Sequence, residues 1–182
     1  MLHNTSSEYG AFGKSLHWGL ALLILFQVLC GLIMGVLSRG NLQDWLVGAH
    51  KSMGLVAFTL AAVRFLWRET VPLPEWAESL DGHDKRVVHG IEWTLYVLML
   101  AVPMAGLLMG MAGGHRFVWF GVLEVPDFLP QSKGLAQALN VLHRLGAVGV
   151  VGAVCIHVGF VLDHRARRNA GYLHRMLPRS LR

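Results

Sequence analysis

The apolar residues of this chain gather in four long runs separated by polar stretches. The runs cover residues 16–36, 45–67, 91–111 and 142–162. Crossing about 30 Å of hydrocarbon takes roughly 20 apolar residues in a helix, so this pattern predicts four membrane-spanning helices. We therefore expect an all-α integral membrane protein in which residues 1–182 form a single four-helix bundle domain.

The composition supports a membrane location. Apolar residues make up 54% of the chain and charged residues 15%, whereas a soluble domain carries about 25% charged residues. A charge in hydrocarbon costs several kcal/mol unless it is paired, which explains the depletion. The formal net charge of +5 would also suit a nucleic-acid binder, but the basic residues cluster outside the apolar runs. Membrane lipid is therefore the expected partner, and no nucleic acid is expected.

The basic residues also predict an orientation. With the N-terminus inside the cell, 11 of the 16 Lys and Arg residues fall on the cytoplasmic side and 5 on the other. Cytoplasmic loops of membrane proteins carry an excess of Lys and Arg. Both termini are therefore expected in the cytoplasm.

Six of the ten histidines lie in or beside the apolar runs: His17, His50, His89, His143, His157 and His164. An ionisable residue in a membrane span is a hypothesis for a functional site by default. One such histidine alone is equally suited to a helix–helix hydrogen bond. His143 and His157, however, are 14 residues apart. That step rises about 21 Å along a helix and turns it to within about 40° of the same face.

An up-and-down bundle gives each of these two histidines a partner at its own depth. His17 matches His157 near the cytoplasmic surface, and His50 matches His143 near the outer surface. Two imidazoles that face each other across a bundle suit the axial positions of a six-coordinate haem iron, so two haem b groups are expected in the bundle core. Zinc, the main metal alternative, would need four ligands at one depth. A proton-relay transporter is the alternative without redox chemistry.

Cationic residues lie where haem propionates would emerge. Lys51 and Arg144 flank the outer pair, and Arg64 lies near the inner pair. The alternative role of these cationic residues is ordinary snorkelling, in which a long side chain reaches the membrane interface. His89 begins the third span without a partner at its depth. It would hydrogen-bond a propionate, touch a quinone or replace one of the four assigned ligands.

Taken together, these residues resemble the bacterial cytochrome b561 family of di-haem membrane cytochromes. The motifs that carry the resemblance are Leu16-His17-Trp18, His50-Lys51, His89 with Tyr96 and Pro103, and Leu142-His143-Arg144-Leu145-Gly146 followed by His157. The family pattern assigns the axial ligands to the same four histidines that the depth argument pairs.

The resemblance implies electron transfer in a bacterial inner membrane, between a donor at the outer face and the quinone pool, with ubiquinone as the acceptor. One branch of the family is a superoxide oxidase. The resemblance to this branch implies that His164 and Trp18 contact the quinone. It also implies that superoxide, or a redox partner protein, is the donor at the outer face. The runner-up function is a cytochrome b membrane subunit that couples a dehydrogenase or hydrogenase to quinone.

Overall fold

Four long helices make up most of the structure, a computed structural model that describes residues 2–76, 80–168 and 172–177. The helices are α1 (Ala11–Val36), α2 (Asn41–Thr70), α3 (Gly82–Ala112) and α4 (Lys133–Arg168). Each contains a stretch that is long and apolar enough to cross a membrane. The prediction of a four-helix membrane protein is therefore confirmed.

The helices extend beyond the apolar runs that predicted them. Helix α3 begins at Gly82 instead of residue 91, and α4 begins at Lys133 instead of residue 142. An apolar run measures only the hydrocarbon layer, whereas a helix continues into the polar interface until its end is capped. For α3 the cap is Asp81, whose Oδ1 accepts the backbone N–H groups of His83 and Asp84, both at 2.8 Å.

Two short elements outside the bundle distinguish its ends. Strands β1 (Phe117–Trp119) and β2 (Leu123–Val125) form an antiparallel hairpin between α3 and α4. This hairpin was not predicted and is a small addition to an otherwise all-α fold. A short helix, α5 (Tyr172–Met176), follows α4. We call the end of the bundle with the β-hairpin the hairpin end, and the end with the N-terminal segment and α5 the terminal end.

Helices that are neighbours in sequence pack side by side: α1 with α2, α2 with α3, and α3 with α4. The buried core is small and centres on Leu20, Ala57 and Ala61. Many large apolar side chains point outward, among them Leu22 (67% exposed) and Val148 (71% exposed). An apolar outer surface is what lipid tails require, so the packing agrees with a bundle that lies in a bilayer.

Helices α3 and α4 approach each other closely at a glycine. A Cβ atom placed on Gly146 would lie 2.5 Å from Cγ2 of Val102. Small residues at such crossings let membrane helices pack backbone against side chain. Gly152 lies six residues further along α4, and a Cβ atom placed on it would have nothing within 4 Å.

We predict that Gly146→Leu destabilises the bundle while Gly152→Leu does not. Forcing extra methyl groups into the α3–α4 contact costs about 1–3 kcal/mol, whereas the side chain at position 152 extends into open space. Thermal unfolding of the two variants in the same detergent measures the difference. An equal change in Tm for both variants would contradict a close contact at Gly146.

Candidate functional site: two histidine pairs across the bundle

The first histidine pair lies towards the terminal end and joins α1 to α4. The rings of His17 and His157 face each other with centroids 6.2 Å apart and planes tilted by 58°. Both side chains are partly buried. The indole of Trp18 meets the His17 ring edge to face at 5.3 Å. The structure thus brings together the two histidines that depth matching assigned to the inner side.

The second pair lies towards the hairpin end and joins α2 to α4. The rings of His50 and His143 have centroids 6.1 Å apart and are nearly perpendicular, at 83°. Nδ1 of His143 is 2.9 Å from the carbonyl oxygen of Val102 in α3. A carbonyl only accepts, so Nδ1 carries the proton and Nε2 is left as the ligand atom. Gly106 makes room for the ring, because a Cβ there would lie 3.0 Å from it.

The spacing within each pair fits a single metal ion between two imidazoles. Metal–imidazole bonds are about 2.0–2.1 Å long, so two opposite ligands with their ring radii place the ring centres about 6–6.5 Å apart. The observed 6.2 and 6.1 Å agree with that value. Along α4 the two pairs are separated by about 21 Å, the rise of 14 helical residues. The residues present therefore fit two haem irons, one near each surface.

A zinc site is not favoured by the arrangement of the pairs. Within the described parts of the chain, one cluster brings three His, Cys, Asp or Glu ligand atoms together: Asp81, His83 and Asp84. It contains none of the four paired histidines. Asp81 already caps α3 through its carboxylate.

Charged residues surround the terminal-end pair. Arg64 donates from Nη1 to the carbonyl of Gly13 at 3.0 Å and lies close enough for its charge to act on both rings of the pair. Arg68 forms a 3.0 Å ion pair with Glu92 of α3. Arg64 thus lies where a propionate contact was predicted, and that role stays a prediction. The sequence analysis did not assign Glu92, although an acidic residue inside an apolar run is itself a signal of a functional site.

His164 lies at the terminal end and is 6% exposed. Its Nε2 is 3.3 Å from Oδ2 of Asp84 at the start of α3, and its Nδ1 is 3.0 Å from the carbonyl of Phe160. Trp18 donates its indole N–H to the carbonyl of Met176 at 2.9 Å. The two residues assigned to a quinone are therefore at the same end of the bundle, and both have partners within the chain. Their contact with quinone stays a prediction.

The remaining predicted residues lie nearer the surface. His89 is exposed and its ring packs against Trp93 at 6.1 Å. In the contacts of the described residues it meets neither histidine pair, and its role stays a prediction. Lys51 is partly buried next to His50, while Arg144 is exposed.

Segments outside the spans cover the terminal end. His3 stacks on Trp67 of α2 at 5.5 Å, and Lys14 donates to the carbonyl of Leu177 at 3.3 Å. Tyr9 lies just before α1, where burial, together with the negative charge of Glu92, raises the pKa of its phenol. The phenol therefore stays protonated at neutral pH.

The β-hairpin is tied to the helical turn that carries His50. Ser52 is 2% exposed, and its Oγ accepts the backbone N–H of Phe120 at 3.0 Å. Its carbonyl accepts the indole N–H of Trp119 at 3.3 Å. The hairpin therefore covers the hairpin end at a point two residues from a paired histidine.

Four apolar spans with two histidine pairs between them define a class, the multi-pass helical membrane proteins with interior sites suited to haem. Sequence comparison makes the assignment specific. The profile of the prokaryotic cytochrome b561 family matches residues 8–179. The chain belongs to that family, and it is a membrane electron-transfer protein of the bacterial inner membrane for which the family implies b-type haem.

Similar proteins cover almost the whole chain. Cytochrome b561 homolog 2 of Escherichia coli is 29% identical over 97% of this chain and 95% of its own length. A protein named Probable superoxide oxidase CybB, from Yersinia pestis, is 24% identical over 95% of this chain and 97% of its own. Cytochrome b561 homolog 1 of Escherichia coli is 21% identical, with 90% and 93% covered.

We predict that Ser52→Ala loosens the hairpin while Thr59→Ala, on the same helix, does not. The first change removes a hydrogen bond worth about 0.5–1.5 kcal/mol and leaves the N–H of Phe120 unpaired. Thr59 bonds only the carbonyl of Leu55 within its own helix. Hydrogen–deuterium exchange of residues 117–125 is expected to speed up several-fold in the first variant alone. Unchanged exchange would mean that other contacts hold the hairpin.

Proposed function

We propose that this protein transfers single electrons across the membrane through two bis-histidine haem b groups, between a donor at the hairpin end and ubiquinone at the terminal end. The observation that carries the proposal is the presence of two facing imidazole pairs with the spacing of axial ligands, one towards each end of the bundle. Haem held by these histidines would supply one-electron exchange.

The chain's own part in this function is to hold, orient and shield. On this proposal His17 and His157 ligate at the terminal end, and His50 and His143 ligate at the hairpin end. The carbonyl of Val102 accepts the Nδ1 proton of His143 in a hydrogen bond, which would leave Nε2 as the atom that holds the metal. The apolar spans exclude water and ions from the space between the two ends.

Cationic side chains have two roles in the proposal. Arg64 lies beside the terminal-end pair, and Lys51 and Arg144 follow the two hairpin-end histidines, so each can neutralise a propionate. The basic excess on the terminal side also supports a cytoplasmic location of both termini, which places the hairpin end on the outer face.

We propose superoxide as the electron donor. Residues 37–51 and 112–144, which make up the hairpin end, hold five Lys and Arg residues against three Asp and Glu residues. A net positive surface attracts a small anion. The 24% identity to a protein named as a probable superoxide oxidase supports the same choice. Two superoxide anions each lose one electron to give dioxygen, and ubiquinone takes up the two electrons with two protons to give ubiquinol.

We infer that ubiquinone and its protons are bound at the terminal end. Trp18 and His164 lie there, and Asp84 connects His164 to the surface-exposed start of α3. We propose that a quinone head group binds beside these residues and that the His164–Asp84 pair passes protons to it from the cytoplasm.

We predict that His143→Ala and His157→Ala each lower the haem content from about two to about one per chain, because each removes one axial ligand of one iron. A pyridine haemochrome assay on protein that elutes as a folded species measures the content. His115→Ala, an exposed change outside both pairs, is the matched control and should retain both haems. Retention of both haems in either ligand variant would contradict the assignment.

We predict that the purified protein reduces a ubiquinone analogue when superoxide is generated in the solution. The rate should fall as ionic strength rises, because salt screens the attraction between the anion and the basic surface. The His143→Ala variant should be inactive. A protein that binds haem yet ignores superoxide, and is reduced only by a co-purified dehydrogenase or hydrogenase, would be a cytochrome b subunit instead.

A further inference from the structure

Two buried polar atoms near the hairpin-end pair have no hydrogen-bond partner in the described residues. They are Oε1 of Gln27 in α1 and Nδ1 of His50 in α2. A buried polar atom without a partner costs about 1–3 kcal/mol, so each such atom in a folded protein needs an explanation. His143, the other member of this pair, has its Nδ1 satisfied by Val102. His50 lacks the equivalent partner.

Gln27 and His50 are already joined by their other polar groups. The amide Nε2 of Gln27 donates to the backbone carbonyl of His50 at 3.0 Å. Gly54 permits this approach, because a Cβ at that position would lie 2.9 Å from the Gln27 Nε2. Gly31, one turn along α1 from Gln27, has its Cβ position 3.9 Å from Cε1 of the His50 ring. The imidazole thus lies against the same face of α1 that carries the glutamine.

The two unpaired atoms are chemically complementary. An amide oxygen only accepts hydrogen bonds, and the Nδ1 of an imidazole that ligates a metal through Nε2 carries a proton to donate. We propose that Gln27 is the positioning residue of His50: its Oε1 accepts the Nδ1–H of His50 when the ring ligates haem iron, while its Nε2 holds the His50 backbone. This inference rests on the proposed ligation of haem by His50.

A bond of this kind changes the electronic character of the ligand. An imidazole that donates a hydrogen bond from its Nδ1–H to Gln27 would be a stronger electron donor to iron, which would stabilise ferric relative to ferrous iron and lower the reduction potential. Gln27 therefore tunes the haem at the hairpin end, where the outer-face donor delivers its electron. Gln27 lies ten residues from His17 on α1, about 15 Å along the helix, so a haem held by His17 and His157 should be unaffected.

The test is a redox titration of the purified haem protein with three variants. Gln27→Leu removes the acceptor, so the potential of one haem should rise, and that haem should dissociate about tenfold faster. Gln27→Glu keeps an acceptor oxygen in either protonation state, so the same potential should stay at or fall below the value of the unmodified protein. The reduction potential of the second haem should not change in either variant.

Cys30→Ala is the matched control. Cys30 lies on α1 close to Gln27, and its Sγ is 3.5 Å from the carbonyl of Leu46, a similar side-chain link between α1 and α2 that does not touch His50. Both potentials should be unchanged in this variant. The inference would be overturned if the potentials of both haems shifted together, or if Gln27→Glu raised the potential as much as Gln27→Leu. Either result would show that Gln27 has a merely structural role. Absence of haem from the unmodified protein would instead overturn the proposed function.

Discussion

An α-helix turns about 100° per residue, so a step of 14 residues returns almost to the same face while it advances about 21 Å. Helix α4 uses this step to direct His143 and His157 towards one interior at two depths. This step determines where the other helices must place the partner histidines. One preceding helix must supply a histidine near its start at the terminal end, as α1 does with His17, and the next must supply one at the hairpin end, as α2 does with His50. Helix α3 supplies no member of a pair and instead supports α4 from the side.

Much of the fold could be predicted from the sequence, because the hydrophobic effect that drives spans into a bilayer depends on runs of residues and needs no knowledge of partners. Helix ends could not be predicted, since they depend on individual hydrogen bonds such as the Asp81 cap of α3. The β-hairpin was missed for a similar reason. Its strands have three residues each, too few for a periodic pattern, and the bonds to Ser52 that hold it cross 67 and 68 positions in sequence.

The candidate site, like the fold, could be predicted only in part. The paired histidines were found because their spacing and the up-and-down topology together fix depth and face. The supporting residues were not found, because each is recognised only by a contact with another helix: Glu92 with Arg68, Asp84 with His164, and Gln27 with the backbone of His50. The expectation for Trp18 was formed without knowledge of α5, whose carbonyl at Met176 takes its indole N–H. The surroundings of Trp18 and His164 therefore depend on tertiary contacts that a single sequence does not contain.

The pattern of helix packing has a consequence for the stability of the protein. The most extensive helix contacts in the described residues run between helices that are adjacent in sequence, and α4 also meets α1 at His17–His157 and α2 at His50–His143. If each facing pair holds a haem iron, the cofactor joins α4 to α1 and to α2. Ligation free energy then becomes folding free energy. The chain with bound haem would then be more stable than the same chain without it, because only the bound form gains the ligation free energy.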